Sequence, residues 1–85
     1  MGRSGWFVYI LSCADGSLYT GITNDLARRL KMHGAGRASR YTRSRLPVKL
    51  VYRERRADRS QALVRECAVK DLERSQKLDL IAGKR

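Results

Sequence analysis

The longest apolar stretch of the chain lies near its start. Residues 6–11 (Trp-Phe-Val-Tyr-Ile-Leu) are all apolar or aromatic, which is typical of a strand covered on both faces of a sheet. Residues 14–17 (Ala-Asp-Gly-Ser) are typical of a turn, and the strand pattern resumes over residues 18–22. The pattern therefore predicts a β-hairpin over residues 6–22, with its first strand in the centre of the sheet.

The length of the hairpin loop decides which side chains share a face, because successive side chains of a strand alternate between faces. A two-residue Asp-Gly loop pairs Tyr9 with Ile22 and places Tyr9 and Tyr19 on opposite faces. A three-residue loop closed by a glycine bulge pairs Tyr9 with Gly21 and places both tyrosines on one face. The Asp-Gly sequence permits either loop. The two tyrosines can act at one site only if they lie on the same face. We therefore predict the bulged loop.

A helical pattern comes after the hairpin. Thr23 or Asn24 is suited to cap a helix that begins near Asp25 and runs toward residue 34. Arg29 and His33 are four residues apart, so they lie together on the edge of this helix with their polar ends in solvent. The predicted buried stripe consists of Leu26, Ala27 and Leu30.

The middle of the chain has little apolar periodicity and is rich in arginine. Residues 34–47 are predicted to form a basic loop with one short helical turn around residues 39–43. Residues 48–52 (Val-Lys-Leu-Val-Tyr) predict the third strand, which frays into a polar end over residues 53–56.

The last third of the chain is predicted to be helical. Asp58 and Gln61 resemble a capping box that begins a helix packed on the sheet. Residues 77–81 predict a short terminal helix, with Leu78 and Ile81 closing the core. The predicted sheet-facing positions of the longer helix are Leu63, Val64, Cys67, Ala68 and Leu72. Together these elements predict an α+β fold in a single domain, residues 1–85 with a core of about 5–80.

The composition restricts the classes of function. The chain has 85 residues and a formal net charge of +11, which favours a nucleic acid over other partners. Cys13 and Cys67 lack the spacing of zinc ligands and are expected to be reduced and buried, as in a cytoplasmic protein. No apolar run approaches the roughly 20 residues that span a bilayer, so we expect no membrane association.

Five residues are of types that act on a phosphodiester. Arg29 is suited to hold a phosphate, Tyr9 and Tyr19 to orient or deprotonate water, and His33 to accept a proton or donate to phosphate. Glu66 is suited to ligate magnesium, which commonly takes one or two protein carboxylates. Each residue also has an ordinary alternative. The tyrosines are typical packing residues, the arginine and histidine are typical of exposed helix faces, and the glutamate fits an exposed ion-pair row with Lys70.

The arginine-rich segment is a candidate surface for the nucleic-acid backbone. Its arginines alternate with aromatic residues, and Tyr41 is suited to stack on an unpaired base. The predicted nucleic-acid-binding residues are Arg37, Arg40, Tyr41, Arg43 and Arg45.

Taken together, the tyrosine segments around Tyr9 and Tyr19, then Arg29, His33 and a late-helix Glu66, resemble the GIY-YIG nuclease domain. The similarity is strongest to its small, stand-alone bacterial members and extends over roughly residues 5–80. The resemblance implies a three-stranded antiparallel sheet flanked by helices and a single divalent metal ion, Mg²⁺ or Mn²⁺, on Glu66. It also implies that Tyr19 helps to activate water with Tyr9 beside it.

These observations lead to two hypotheses. The first is a cytoplasmic, metal-dependent endonuclease that cleaves DNA, more than RNA, at structural features. The second is a noncatalytic DNA- or RNA-binding module on the same fold. In either case, targeting would rest on the basic surface of the domain or on a partner protein. The first hypothesis expects Tyr9, Tyr19, Arg29 and Glu66 to converge on one cleft, with Tyr19 and Glu66 on the same side of the sheet.

Overall fold

The apolar segment near the start of the chain forms the central strand of an antiparallel sheet. The computed structural model describes residues 5–83, in which three strands lie in the order β2-β1-β3. The strands are β1 (Trp6–Ser12), β2 (Leu18–Thr23) and β3 (Lys49–Arg56). The predicted α+β class and the central position of the first strand are both confirmed.

The hairpin has the predicted bulged loop. The Cys13 amide donates to the Ser17 carbonyl at 2.9 Å, and the Gly16 amide donates to the Cys13 carbonyl at 2.9 Å. Gly16 has a φ of 86°, the left-handed conformation that a loop of this type requires and that glycine adopts without strain. Tyr9 consequently pairs with Gly21, so Tyr9 and Tyr19 lie on the same face of the sheet.

The third strand is longer than its apolar part. It continues through the charged residues that were predicted to fray, because β1 goes on pairing with it as far as Trp6 and Arg56. Along this extension Arg53 and Arg55 are exposed. Glu54 and Arg56 lie on the other face of the sheet, the one that carries Val8, and form an ion pair of 2.7 Å. The polar sequence therefore reflects an edge strand with one open face.

Four helices complete the fold. They are α1 (Leu26–Gly34), α2 (Arg40–Arg43), α3 (Arg59–Lys70) and α4 (Arg74–Ile81). The main core lies between the sheet and α3, where Val8 and Ile10 pack against Ala62 and Val69. Leu80 and Ile81 of α4 add to this core. No helix within residues 5–83 is long and apolar enough to cross a membrane.

The start of α1 differs from the prediction. Asp25, rather than Thr23 or Asn24, is the N-cap, and its side chain accepts from the Arg28 amide at 3.2 Å. The Thr23 hydroxyl does not cap the helix, because it accepts a hydrogen bond from the amide of the N-cap residue Asp25 at 3.0 Å. Ala27, predicted to be buried, is exposed.

The buried face of α3 was predicted incorrectly. Ala62 and Val69 face the core, while Leu63, Val64, Cys67 and Ala68 are exposed, Val64 to 72%. A polar contact that hydropathy does not register lies on the inner side of the helix. The Arg65 guanidinium donates to the Glu54 carboxylate of β3 at 2.7 Å, and Arg65 and Glu66 are both half-buried.

The end of the chain and one cysteine also differ from expectation. The terminal helix begins at Arg74, because Glu73 and Gln76 form a capping box. Leu78 is 43% exposed, and Leu80 occupies the core beside Ile81 in its place. Cys13 is buried as predicted, but Cys67 is exposed because it lies on the outward face of α3.

Candidate active site

The two tyrosines meet above a glycine at the β2 edge of the sheet. Their ring centroids are 6.5 Å apart, and Tyr9 is only 2% exposed while Tyr19 is half-buried. A Cβ atom on Gly21 would lie 2.6 Å from the Tyr9 hydroxyl oxygen, so the Tyr9 ring passes directly over this glycine. The absence of a side chain at Gly21 is what lets the Tyr9 hydroxyl reach the sheet edge.

His33 completes an aromatic cluster with these tyrosines. Its ring centroid lies 5.7 Å from that of Tyr9 and 5.4 Å from that of Tyr19. The Tyr9 hydroxyl lies 2.8 Å from Nε2, and the Thr42 hydroxyl lies 2.9 Å from Nδ1. The prediction of a solvent-facing histidine was wrong, since His33 is 1% exposed. The fold places it under the basic segment, where both of its ring nitrogens have partners.

The surroundings change the acidity of two members of the cluster. Burial, followed by the neighbouring Tyr19, raises the pKa of Tyr9, and Arg29 opposes this shift while Glu66 adds to it. Burial, followed by the Arg29 charge, lowers the pKa of His33. At neutral pH the site therefore contains a neutral phenol and a neutral imidazole that share a hydrogen bond.

Arg29 and Glu66 approach the cluster from different helices. Arg29 lies on α1, where it is half-buried, and its charge acts on both Tyr9 and His33. Glu66 lies on α3, whose Ala62 and Val69 pack against Val8 and Ile10 on the face of the sheet opposite to Tyr19. The Glu66 carboxylate charge nevertheless acts on Tyr9. Charged groups from both helices thus act on the Tyr9 hydroxyl.

A small polar pocket lies beside Arg29. Its volume is about 130 Å³, and it sits where β2 passes into α1. The residues that line it are Thr23, Asn24, Asp25, Arg28, Arg29 and Met32. Two arginines at one pocket suit an anionic group such as a phosphate.

The number of acidic side chains that lie close together indicates which metal ion the chain is suited to bind. Within residues 5–83 no three His, Cys, Asp or Glu side chains cluster in the manner of a metal site. The Glu66 side chain is 18% exposed and pairs with Lys70 at 3.3 Å, which is the ion pair expected from the helix spacing. A single accessible carboxylate fits Mg²⁺, which keeps most of its ligands as water and phosphate oxygens.

The arginine-rich segment packs its aromatic residue on the cluster. Tyr41 is 38% exposed and stacks on Tyr19 with centroids 5.9 Å apart. The Arg45 guanidinium lies 3.9 Å from the Tyr41 ring centroid and bonds Asp15 of the hairpin loop at 3.0 Å. Arg45 is thus already engaged, whereas the exposed basic side chains of the segment are Arg37, Arg40 and Arg43.

Two residues of the site were not singled out from the sequence. Gly21 matters because of the space above it rather than its backbone conformation, and the predicted Tyr9–Gly21 pairing is the signal that could have identified it. Thr42 is fully buried against His33. No sequence-spacing rule connects His33 with Thr42, so only the tertiary structure identifies Thr42 as part of the site.

The chain is similar to a known protein family over nearly its whole length. The model of the GIY-YIG catalytic domain matches residues 5–79. The UPF0213 protein DP2720 of Desulfotalea psychrophila is 55% identical over 80 residues, covering 93% of this chain and 73% of its own length.

Two solution NMR structures are similar to the fold. The UPF0213 protein BH0048 of Bacillus halodurans has a TM-score of 0.61 and 42% identity, covering 94% of this chain and 85% of that one. The protein EF2693 of E. faecalis has a TM-score of 0.66 and 36% identity, covering 95% of this chain and 86% of that one. With its sequence motifs, its sheet and a family match over nearly its whole length, the chain belongs to the GIY-YIG domain family, among the small UPF0213 proteins.

Proposed function

We propose that this protein is an endonuclease that hydrolyses phosphodiester bonds with one bound Mg²⁺ or Mn²⁺ ion and acts on DNA, more than RNA, at structural features. One observation carries the proposal. A buried hydrogen bond joins Tyr9 and His33 beside β2, and the charges of Arg29 and Glu66 both act on Tyr9. Family membership supports a nuclease, and the net charge of +11 supports a polyanionic substrate.

Water activation is assigned to Tyr9 rather than Tyr19 in this proposal. A phenol with a raised pKa is a poor base by itself, because its anion is disfavoured. The Tyr9 hydroxyl, however, lies 2.8 Å from an imidazole nitrogen that can receive its proton. As Tyr9 takes a proton from the attacking water, its own proton passes to His33 Nε2. The result is a neutral phenol, an imidazolium and a hydroxide directed at phosphorus.

Arg29 and Tyr19 position the phosphate. The planar guanidinium of Arg29 matches two phosphate oxygens and counters the negative charge that develops on them. Tyr19 is held between His33 and Tyr41, so its half-buried ring forms a fixed wall of the site. A divalent ion on Glu66 would stabilise the leaving oxygen as a Lewis acid.

The exposed arginines are proposed to guide the strand to this site. Arg37, Arg40 and Arg43 border Tyr41 on the same segment and are open to solvent. They would contact phosphates without reading bases, which suits selection by structure rather than sequence. Arg45 would contribute chiefly by holding Tyr41, since its guanidinium already bonds Asp15.

A metal-dependent cleavage assay tests this function. End-labelled flap, branched and single-stranded DNA, with matched RNA, are incubated with protein and Mg²⁺ or Mn²⁺, and with chelator as a blank. We expect Glu66→Ala and Arg29→Ala to lower the cleavage rate by about 100-fold or more. Asp79→Ala and Arg74→Ala on α4 are exposed controls of matched charge and should cleave like wild type. Equal cleavage by all five proteins would refute the assignment.

A noncatalytic binding module is the second candidate. The observation in its favour is the Glu66–Lys70 ion pair, which satisfies the proposed metal ligand without any ion. This alternative predicts binding that weakens steeply with salt and no metal-dependent turnover on any substrate. Binding alone fits both candidates, so turnover separates them.

A further inference from the structure

The buried imidazole of His33 has a hydrogen-bond partner at each ring nitrogen. The Tyr9 hydroxyl lies at Nε2 and the Thr42 hydroxyl lies at Nδ1, at 2.8 and 2.9 Å. A neutral imidazole carries one N–H, so one nitrogen donates and the other accepts. Burial lowers the pKa of His33, which keeps the ring in this neutral form at neutral pH.

The Thr42 hydroxyl decides which nitrogen donates. It has a single proton, and it lies 3.4 Å from the Ser39 carbonyl oxygen in a donor geometry. With its proton directed to Ser39, Thr42 is left to accept from Nδ1–H. Nε2 is then unprotonated and accepts from the Tyr9 hydroxyl. In this arrangement each of these buried protons has an acceptor, as buried polar groups require.

The reverse arrangement leaves a proton without a partner. If Nε2–H donated to Tyr9, the Tyr9 proton would need a different acceptor. Among residues 5–83, His33 is the side chain that bonds the Tyr9 hydroxyl. Because Tyr9 is 2% exposed in the protein without substrate, solvent is a poor substitute in that state. The network therefore favours the Nδ1–H tautomer.

We propose that Thr42 is a positioning residue that holds His33 in the Nδ1–H tautomer and so keeps Nε2 open to receive the proton of Tyr9. The functional meaning rests on the proposed nuclease, whereas the tautomer itself does not. Thr42 is well placed for this task because it is fully buried within α2. Ser39 caps that helix by accepting from the Thr42 amide at 3.3 Å, and the Arg45–Asp15 contact ties its end to the hairpin.

Removal of the Thr42 hydroxyl should change the tautomer. In Thr42→Val, Nδ1–H would be a buried donor without an acceptor. The Nε2–H form would instead leave the Tyr9 proton without an acceptor, so the two tautomers would become similar in free energy and both would be populated. In the Nε2–H fraction Nε2 no longer accepts, and proton transfer from Tyr9 would be blocked there even though Tyr9, Tyr19 and His33 remained in place.

Nitrogen NMR measures the tautomer directly. His33 is the one histidine of the chain, so ¹⁵N-histidine labelling gives two ring signals from a single residue. At pH 8 a long-range ¹H–¹⁵N spectrum distinguishes a protonated ring nitrogen from an unprotonated one. We expect Nδ1–H in wild type, in Thr42→Ser and in Tyr9→Phe. We expect both tautomers in Thr42→Val. Thr20→Val removes a buried hydroxyl from the opposite face of the sheet and should leave the spectrum unchanged.

Three spectra would overturn the proposal. The first is a wild-type spectrum with Nε2–H, whatever the variants do and whether or not Thr42→Val folds. The second is Nδ1–H without any Nε2–H in Thr42→Val, because another group would then set the tautomer. The third is loss of Nδ1–H in Tyr9→Phe, since Tyr9 would then be the controlling residue.

Cleavage provides a separate measurement. If the nuclease proposal holds, Thr42→Val lowers the rate by about 10–100-fold, as expected for an orienting partner, and Thr42→Ser restores it. Wild-type protein with Nδ1–H but no turnover would refute the nuclease proposal and leave the tautomer assignment standing. The two proposals therefore fail in distinguishable ways.

Discussion

Gly21→Ala is expected to damage the site through a single added methyl group. That carbon would lie 2.6 Å from the Tyr9 hydroxyl oxygen and 2.7 Å from the ring carbon that bears it. Ordinary contact begins at 3.4 Å, so the ring has to retreat by roughly 0.8 Å. Its hydroxyl is bonded to the buried His33, so such a retreat strains the aromatic cluster.

The cost arises from overpacking and a weakened hydrogen bond. Overpacking of a well-filled interior costs about 1–3 kcal/mol, and a lost hydrogen bond adds about 1 kcal/mol. We therefore expect the free energy of unfolding of Gly21→Ala to fall by about 2–4 kcal/mol, and the melting temperature by about 10 °C or more.

The assay is urea unfolding followed by circular dichroism, with two comparisons. Gly34→Ala is the control, because a Cβ there meets nothing within 4 Å, and it should be neutral or slightly stabilising in the last turn of α1. In the double variant Tyr9→Phe/Gly21→Ala the nearest clashing atom is absent, so the losses of the two single variants should sum to more than the loss measured for the double variant. If Gly21→Ala and Gly34→Ala unfold at the same urea concentration, the steric argument is wrong.

The remaining predictions concern the core, pH and a polar cluster. Val69→Ala should lower the unfolding free energy by about 2 kcal/mol, whereas Val64→Ala, at a 72% exposed position, should change it by less than about 0.5 kcal/mol in the same urea assay. Burial, followed by the Arg29 charge, lowers the pKa of His33, so its contribution to stability is complete above about pH 6.5 and is lost as the pH falls through the folded pKa. Melting temperatures between pH 7.5 and 5.5 should therefore fall more in wild type than in His33→Gln, and parallel curves would contradict this. Glu54→Ala leaves the Arg65 guanidinium without its partner and should destabilise by about 2 kcal/mol in calorimetry, while Asp79→Ala should have little effect.

Much of the sheet was predictable because its pattern is local. The continuous apolar run indicated the central strand, and the position of Gly16 permitted the bulged loop that unites Tyr9 and Tyr19. The first residues of the helices were predicted with mixed success. Asp58 was predicted to begin α3 and does so, accepting from the Gln61 amide at 2.9 Å. Asp25 replaced the expected cap because Thr23 was already bonded.

The errors share a physical origin in contacts between distant residues. Hydropathy placed Val64 against the sheet, but Ala62 and Val69 face the core, Arg65 bonds Glu54 of β3, and that valine lies outside. His33 is polar and was expected in solvent, yet Tyr9 and Thr42 satisfy both of its nitrogens inside. A pattern along one helix contains neither partner, so burial of these groups could not be predicted from it.

The Tyr9–His33 pair and the charges beside it are proposed to cleave a phosphodiester with the help of a metal ion. The most direct measurement is the single-turnover cleavage rate of flap DNA with Mg²⁺ for wild type, Glu66→Gln and the control Asp79→Asn. We expect cleavage by wild type and the control, and a rate lower by about 100-fold or more for Glu66→Gln. Equal rates in all three proteins, or rates unaffected by chelation of the metal, would contradict the claim.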